Sequence, residues 1–314
     1  MKTTSFTRSG NDAETRERDA DLQDNIQRVG DGLDLKCDLG RAFRRNFSAF
    51  SFLILASLIL MTLSTAYFAL AFNREQFKSL SDVQEYDNIL SDVTTMDDWS
   101  RTKFYWSNNL GIVGLYAATF PTYLGANSVL LTSYHIGLAI VYNYHAYGPN
   151  AMLVFAGVIF VHGMLELTGI FIIGAASLIL AWKFWSYLGR VLKSGFGRMT
   201  RKRKAAAKRY LTDYALMVAL GSFMVFLAAP IEAYFSPYAG LIFFLWPPIA
   251  LFFLGAVVLF YASIISKGFT PMRRTVASVL GDAKAVFSGK WRPTYLSLLM
   301  LAIFSLMIWL GLFL

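Results

Sequence analysis

The chain has 314 residues, of which 56% are hydrophobic and 16% are charged, and its formal net charge is +9. A soluble domain carries about 25% charged residues, so this composition excludes an ordinary globular protein and favours a membrane protein. The single cysteine, Cys37, excludes an internal disulfide and a cysteine-based metal cluster within one chain.

Residues 1–46 form a charged leader that contains nine Lys/Arg and nine Asp/Glu. A secretory signal peptide has an apolar stretch within its first roughly 15–30 residues. Here the first apolar run begins only near Phe47. The leader is therefore predicted to stay on the cytoplasmic side of the membrane, as a disordered or loosely helical segment.

Long stretches without charge define the rest of the chain. Only Glu166 and Glu232 carry a charge within the four stretches 47–73, 104–182, 214–266 and 293–314. A transmembrane helix needs about 20 mostly apolar residues, so each stretch is long enough to cross a membrane at least once.

The charges between these stretches predict the orientation of the chain. Segment 183–210 has ten Lys/Arg and no acid, and segment 264–293 has six Lys/Arg and one acid. Segment 73–103 has seven acids against four Lys/Arg. Because basic segments stay in the cytoplasm, the first two segments and the N-terminus are predicted to be cytoplasmic and 73–103 external.

This orientation predicts an all-α, polytopic helical membrane bundle of about seven spans, some of them broken by glycine or proline. The spans are expected near 48–72, 106–125, 127–145 and 152–182, twice within 214–266, and at about 295–314. The predicted organisation is a transmembrane core at 47–266 with a basic cytoplasmic loop at 183–210, an amphipathic cytoplasmic segment at 267–293, and a C-terminal transmembrane or interfacial helix at 294–314.

Three local features predict where these spans begin, end or break. Gly148-Pro149 follows a cluster of tyrosines and indicates a turn at the outer surface. Trp246-Pro247-Pro248 lies inside a predicted span and should kink or interrupt it. In 267–293, apolar residues recur at spacings of about three and four, which is typical of an amphipathic helix that lies on a membrane or binds a partner.

The two glutamates in apolar stretches are the strongest candidates for a functional site. A charged side chain near the centre of a membrane helix costs roughly 2.5 to 3.5 kcal/mol, so Glu166 and Glu232 need a partner, a proton or a protein interior. His162 lies four residues before Glu166 and therefore shares its helix face. Gly163 between them permits a kink or a close approach of helices.

The surroundings of Glu232 point to the same kind of site. Pro230 precedes Glu232 and should break the helical hydrogen bonds and free carbonyl groups nearby, and Pro237 follows five residues later. His162, Glu166 and Glu232 then form either a proton relay or cation site, or a buried hydrogen-bond cluster that fixes the packing of the helices. A metal would need Glu232 as a third ligand beside the histidine and Glu166, and neither a metal nor a cofactor is expected.

A run of basic residues lies beside the membrane in the segment 183–210. Such a cluster indicates contact with anionic lipid or a partner, although the signal for membrane orientation alone also explains it. Nucleic acid is not expected, because aromatic residues are not interleaved with the charges. The residues of this cluster are Arg201, Lys202, Arg203, Lys204, Lys208 and Arg209.

Several of these residues resemble one known family of membrane proteins. The strings 162–167 and 170–176 resemble the "HGxxEL…GA" signature of the stage II sporulation protein M family. Asn108-Asn109 and the segment 229–237, which contains Pro230, Glu232 and Pro237, resemble two further motifs of that family. The resemblance covers roughly 105–240.

The resemblance implies a multi-pass prokaryotic protein of the cytoplasmic membrane, without catalytic chemistry of its own, that holds partner proteins at the membrane. The first hypothesis for this chain is therefore a non-catalytic scaffold that forms oligomers and binds cell-envelope proteins and anionic lipid. The alternative is a proton- or cation-coupled transporter or channel that uses Glu166 and Glu232. No catalytic residue is predicted, since the chain has no hydrolase motif and no phosphate-binding loop.

Overall fold

The computed structural model describes residues 35–194, 200–287 and 294–310, and every element within these residues is helical. A 3₁₀ turn at Phe120–Thr122 and a π-helical turn at Ile231–Phe235 join longer helices. The α-helices are α1 (Leu35–Ala71), α2 (Arg74–Lys78), α3 (Ser81–Thr94), α4 (Asp98–Ala118), α5 (Leu124–Tyr147), α6 (Pro149–Ser194), α7 (Arg201–Pro230), α8 (Ser236–Leu245), α9 (Pro247–Phe287) and α10 (Thr294–Trp309).

The internal contacts divide the chain into two units, Met1–Arg41 and Ala42–Leu314. The described part of the first unit is the start of α1, where Arg41 pairs with Asp38 one turn earlier. Residues 1–34 of the predicted leader lie outside the described residues. The second unit contains the rest of α1 and all the other helices.

Within the described residues, five segments are long and apolar enough to cross a membrane, so the chain is a multi-pass helical membrane protein. The predicted number of seven spans is not confirmed. The apolar part of α10 is short, and α4 carries Asp98, Arg101 and Lys103 in its first turns. The five segments are Asp38–Ala71, Leu124–Tyr147, Val161–Lys193, Arg203–Leu245 and Pro247–Gly281.

Although its first turns are charged, α4 runs antiparallel to α7. The hydroxyl group of Tyr214 donates to the carbonyl oxygen of Ala117 at 2.5 Å, and the indole of Trp106 donates to that of Phe226 at 2.8 Å. At a rise of 1.5 Å per residue, these contacts extend over about 17 Å. Helix α4 is therefore part of the bundle.

Helix α6 is the central helix of the bundle. Every residue from Thr168 to Ser177 is buried, which is the behaviour of a helix surrounded by protein on all sides. The main hydrophobic core combines this stretch with buried residues of α1, α4, α5, α7 and α9, among them Phe50, Val129 and Met217.

Small residues allow the neighbours of α6 to approach it closely. A Cβ atom placed on Gly169 would lie 2.6 Å from the carbonyl oxygen of Gly221 on α7. A Cβ atom on Gly125 of α5 would lie 2.9 Å from the Ser177 hydroxyl oxygen. Close packing of this kind is how membrane helices associate without help from the hydrophobic effect.

The predicted turns are where the sequence placed them. Helix α5 ends at Tyr147, and α6 begins at Pro149 after Gly148, whose φ of 88° is one that glycine adopts readily. Trp246 separates α8 from α9 and so interrupts the predicted span. Because α9 packs back along α6 and α1, the interruption is a reversal of the chain.

The expected break at Pro230 is not a break. Helix α7 runs through to Pro230, and the chain continues through the π-helical turn into α8 with no irregular residue between them. A π turn uses hydrogen bonds one residue longer than those of an α-helix, and therefore accommodates the missing N–H group of the proline.

Two segments predicted to lie beside the membrane are largely continuous with the spanning helices. In 183–210, α6 extends to Ser194 and α7 begins at Arg201, while 195–199 lie outside the described residues. In 267–293, α9 continues to Phe287, and 288–293 lie outside the described residues. Helix α9 continues through Pro271, so this proline does not end the helix.

Helices α2 and α3 cover the end of α5, at the end of the bundle away from the start of α7. Phe77 packs against Phe68 of α1 and the ring of His145, and Tyr142 donates a hydrogen bond to Asp87 of α3. We call this the acidic end, because seven acids lie in 73–103. We call the other end, where α6 ends and α7 begins, the basic end.

Candidate functional site

Three ionisable side chains meet where α4, α6 and the π-helical turn are in contact. His162 and Glu166 come from α6, and Glu232 comes from the π-helical turn. One ligand atom from each residue can be chosen so that all three lie within 4.8 Å of one another. The structure therefore brings together the histidine and both glutamates predicted from the sequence.

Local structure explains why these side chains converge. His162 and Glu166 are four residues apart on α6, so they project from the same face. Helix α7 runs antiparallel to α6, and its continuation through the π-helical turn places Glu232 and Ser236 opposite that face. The widened turn re-aims the side chains that follow Pro230, as π turns at functional sites commonly do.

The closest polar contacts of the histidine are with the turn. His162 Nδ1 lies 2.9 Å from the hydroxyl oxygen of Ser236, which also donates to the carbonyl oxygen of Ile231 at 3.4 Å. His162 Nε2 lies 3.7 Å from Oε1 of Glu232. The sequence offered His162 as a candidate partner of Glu166, and the structure adds an ion-pair contact between His162 and Glu232 on another segment.

One carboxylate oxygen at the site is buried without a hydrogen bond. Within the described residues, Oε2 of Glu232 is buried and has no hydrogen-bond partner. His162 is itself only 8% exposed. A buried carboxylate oxygen without a partner is costly, and such an atom marks a place where a proton or a cation would be stabilised.

Helix α4 adds two side chains that the sequence did not predict. Tyr105 faces Glu232 closely enough to interact with its carboxyl group. Arg101 donates to the carbonyl oxygens of Met96 at 2.9 Å and of Ala233 at 3.5 Å. The available signal was the spacing of four between Arg101 and Tyr105, which places both on one face of α4.

The glycine, the two prolines and the asparagine singled out in the sequence lie in ordinary positions on the helices. Gly163 is buried in an unbroken α6, and Pro230 ends α7. Pro237 is exposed in the first turn of α8. Asn109 is 9% exposed on α4 and accepts a hydrogen bond from Asn108 at 3.1 Å.

The basic residues lie far from this cluster, in the first turns of α7. Arg203, Lys204 and Lys208 are exposed, and Arg209 stacks over the ring of Tyr210 at 5.4 Å. The side chains of Arg201 and Lys202 lie outside the described part of the structure.

The cluster has the chemistry to hold a proton or a cation. A neutral imidazole and two carboxylates offer lone pairs to a positive charge, and they lie within a membrane protein where water is scarce. Two classes of role follow, a structural one in which the bound charge joins α6 to the turn, and a transport one in which it moves.

Comparison with known proteins gives one match. The family model described as Stage II sporulation protein M matches residues 49–237, which is more than half of the chain. The match begins within α1, continues through α7 and the π-helical turn, and includes every residue of the cluster. No curated protein and no solved structure matches the chain.

Proposed function

Because the chain belongs to the stage II sporulation protein M family, we propose that it is a non-catalytic membrane scaffold that organises protein partners at the cytoplasmic membrane. The family match confirms the resemblance drawn from the sequence motifs. The observation that carries the proposal is that helices of the bundle continue past their apolar spans as exposed helices rich in basic residues at one end.

The lengths of two helices show how far they continue. Helix α6 has 46 residues and α9 has 41, which correspond to about 69 Å and 62 Å at 1.5 Å per residue. The hydrocarbon core of a bilayer is about 30 Å thick. Since Ser51 of α1 packs against Gly268 and Ser48 contacts Thr275, the last turns of α9 extend beyond the start of the α1 span.

The extensions of α6 and α7 carry basic residues side by side. Lys183 near the end of α6 lies 5.4 Å from the ring of Tyr210 on α7, so the two helices stay together beyond the span. By the positive-inside rule, this basic end faces the cytoplasm, with the N-terminus on the same side. The proposed ligands of this surface are anionic lipid headgroups and acidic protein partners.

The extension of α9 favours a protein partner. Beyond Met272, which is buried, every residue from Arg273 to Gly281 is exposed except Val279. Leu280 is 63% exposed and Val276 is 38% exposed. Because this segment continues a spanning helix, it cannot turn to lie flat on the membrane, so its apolar residues are available to another protein.

The lipid-facing side of α9 is suited to association between copies of the chain. Only 17% of its apolar window is buried within the chain, against 67% for α6. Large aromatic side chains such as Phe252 and Phe260 project outward. We propose a homo-oligomer, in which part of this surface packs against a second copy.

Reversing the basic charges of α7 should abolish partner recruitment. Each basic side chain near an anionic surface contributes about 1 kcal/mol, so changing Arg203, Lys204, Lys208 and Arg209 to glutamate should weaken binding by roughly a hundredfold or more. The measurement is the membrane localisation of a fluorescent fusion, together with the amount of partner protein that co-purifies.

The matched control reverses Arg74 and Lys78, which lie on α2 at the acidic end. It changes charges of the same kind without touching the basic end, and should leave localisation and co-purification intact. If the four-residue variant behaves as this control does, the scaffold proposal loses its main support.

The cluster of His162, Glu166 and Glu232 favours a second candidate, proton- or cation-coupled transport. Its specific support is the buried, unpartnered carboxylate oxygen of Glu232 inside a membrane bundle. In reconstituted vesicles, transport would appear as a proton or cation flux that Glu166→Gln and Glu232→Gln abolish but Glu75→Gln does not. Absence of flux from folded wild-type protein would exclude this candidate.

A further inference from the structure

We propose that His162, Glu166 and Glu232 bind one divalent transition-metal ion, such as Zn²⁺ or Mn²⁺, that joins α6 to the π-helical turn. This goes beyond the proposed scaffold and depends on neither candidate function. The starting observation is that three ligand atoms, one from each residue, lie within 4.8 Å of one another.

The hydrogen bonds of the turn orient the imidazole for such an ion. In the tautomer that such an ion requires, Nδ1–H of His162 donates to the Ser236 hydroxyl oxygen 2.9 Å away, and that hydroxyl group donates to the carbonyl oxygen of Ile231. This leaves the lone pair of Nε2 directed toward Glu232. Histidines that bind metal ions commonly use the other ring nitrogen in the same way, as a donor that fixes the tautomer and the ring orientation.

The distance between the side chains of His162 and Glu232 is too long for a direct hydrogen bond. It is close to the distance between two ligand atoms of one metal ion. His162 Nε2 and Oε1 of Glu232 are 3.7 Å apart, whereas an N–H···O bond measures about 2.7–3.2 Å. Ligand atoms about 2.1 Å from a tetrahedral metal ion are roughly 3.4 Å from one another. A small movement of the side chains from their present separation of at most 4.8 Å would bring all three ligand atoms to this spacing.

The neighbouring cation, Arg101, does not compensate the negative charges of the two carboxylates. Oε2 of Glu232 is buried without a hydrogen-bond partner among the described residues. Arg101 directs its guanidinium group to the carbonyl oxygens of Met96 and Ala233 and to Asp98, 3.6 Å away. A divalent cation would balance the charges of both carboxylates at once, where unbalanced charge is expensive.

The ligand set selects the class of ion. One imidazole nitrogen and two carboxylate oxygens suit Zn²⁺, Mn²⁺ or Fe²⁺, while Mg²⁺ and Ca²⁺ favour sites made of oxygen alone. Three protein ligands would leave an open coordination position for water or for a group from a partner.

The experiment measures metal binding to the purified full-length protein in detergent. Bound metal is first removed from the protein with a chelator. The protein is then titrated with Zn²⁺ and separately with Mn²⁺, and the bound ion is quantified by inductively coupled plasma mass spectrometry. We expect one ion per chain, lost in His162→Gln and Glu166→Gln, and binding weakened roughly 10- to 100-fold in Ser236→Ala. The variants are first checked for a single gel-filtration peak.

The matched control removes the other two of the three histidines, His135 and His145, which should leave binding unchanged. X-ray absorption at the Zn edge of the wild type needs no variant, and should show one nitrogen and two or more oxygen neighbours. Absence of saturable binding of either ion, or loss of binding in the His135/His145 control and not in His162→Gln, would overturn the proposal.

Discussion

Replacing Gly169 with leucine should prevent the bundle from assembling, whereas the same change at Gly255 should leave it intact. A Cβ atom on Gly169 would lie 2.6 Å from the carbonyl oxygen of Gly221, and a Cβ atom on Gly221 would lie 2.6 Å from the carbonyl oxygen of Gly169. Both obstacles are backbone atoms, so a change of side-chain rotamer cannot relieve them. The helices must separate at the centre of the molecule.

The size of this effect follows from how densely the helices pack. Overpacking by a single methyl group typically costs about 1–3 kcal/mol, so Gly169→Ala should already be destabilising and Gly169→Leu should exceed that range. Separation at this point would also expose Ile173, which is fully buried. The measurement is the temperature at which half of the detergent-solubilised protein is lost from its gel-filtration peak.

Gly255 provides the control because it lies on α9 with nothing within 4 Å of an added Cβ atom. Leucine there faces the lipid and improves the helix-forming tendency of the segment. Equal melting temperatures for Gly169→Leu and Gly255→Leu would show that α6 and α7 are not in the contact described.

The second large effect is expected at the basic end. Replacing Arg45 with methionine should destabilise the packing of α1 against α7. Arg45 donates to both carboxylate oxygens of Asp213, with 2.7 Å between Nε and Oδ2. The Asp213 side chain is only 7% exposed. Truncating one partner of a buried pair leaves the other charge without compensation and typically costs about 3–5 kcal/mol.

A double-mutant cycle separates this cost from the contribution of the pair itself. Arg45→Met and Asp213→Leu should each be strongly destabilising, while the double variant should recover most of the loss, since apolar residues can replace a buried ion pair at little cost. Arg273→Met, which removes an exposed arginine of α9 at the same end, should have little effect. Additive single effects would contradict a direct buried pair.

The sequence predicted those parts of the fold that depend on local chemistry. Charge-free stretches indicated the spanning helices, and the turn at Gly148 and the reversal at Trp246 followed from residue types that end helices. The span predicted at 106–125 overlaps α4, while Arg101 in the first turns of α4 lies in the segment predicted to be external. The number of spans could not be fixed this way, because length and polarity do not decide whether a partly polar helix such as α4 crosses.

The candidate site was predictable in its members but not in its contacts. Spacing along one helix shows that His162 and Glu166 share a face, and it made His162 a candidate partner of Glu166. The contact with Glu232 depends on the packing of α7 against α6, which no local pattern reports. The contributions of Arg101 and Tyr105 were missed for the same reason, since they reach the site from a third helix.

The π-helical turn at Ile231–Phe235 makes the packing of α8 sensitive to the deletion of a single residue. A π turn contains one residue more than the α-helical turn it replaces, so removing one residue from it would rotate all of α8 by about 100° relative to α7. Gly240 and Phe243 would then leave the groove of α6, and Ser236 would leave His162. A single extra residue therefore sets the rotational phase between the two halves of this long helical segment.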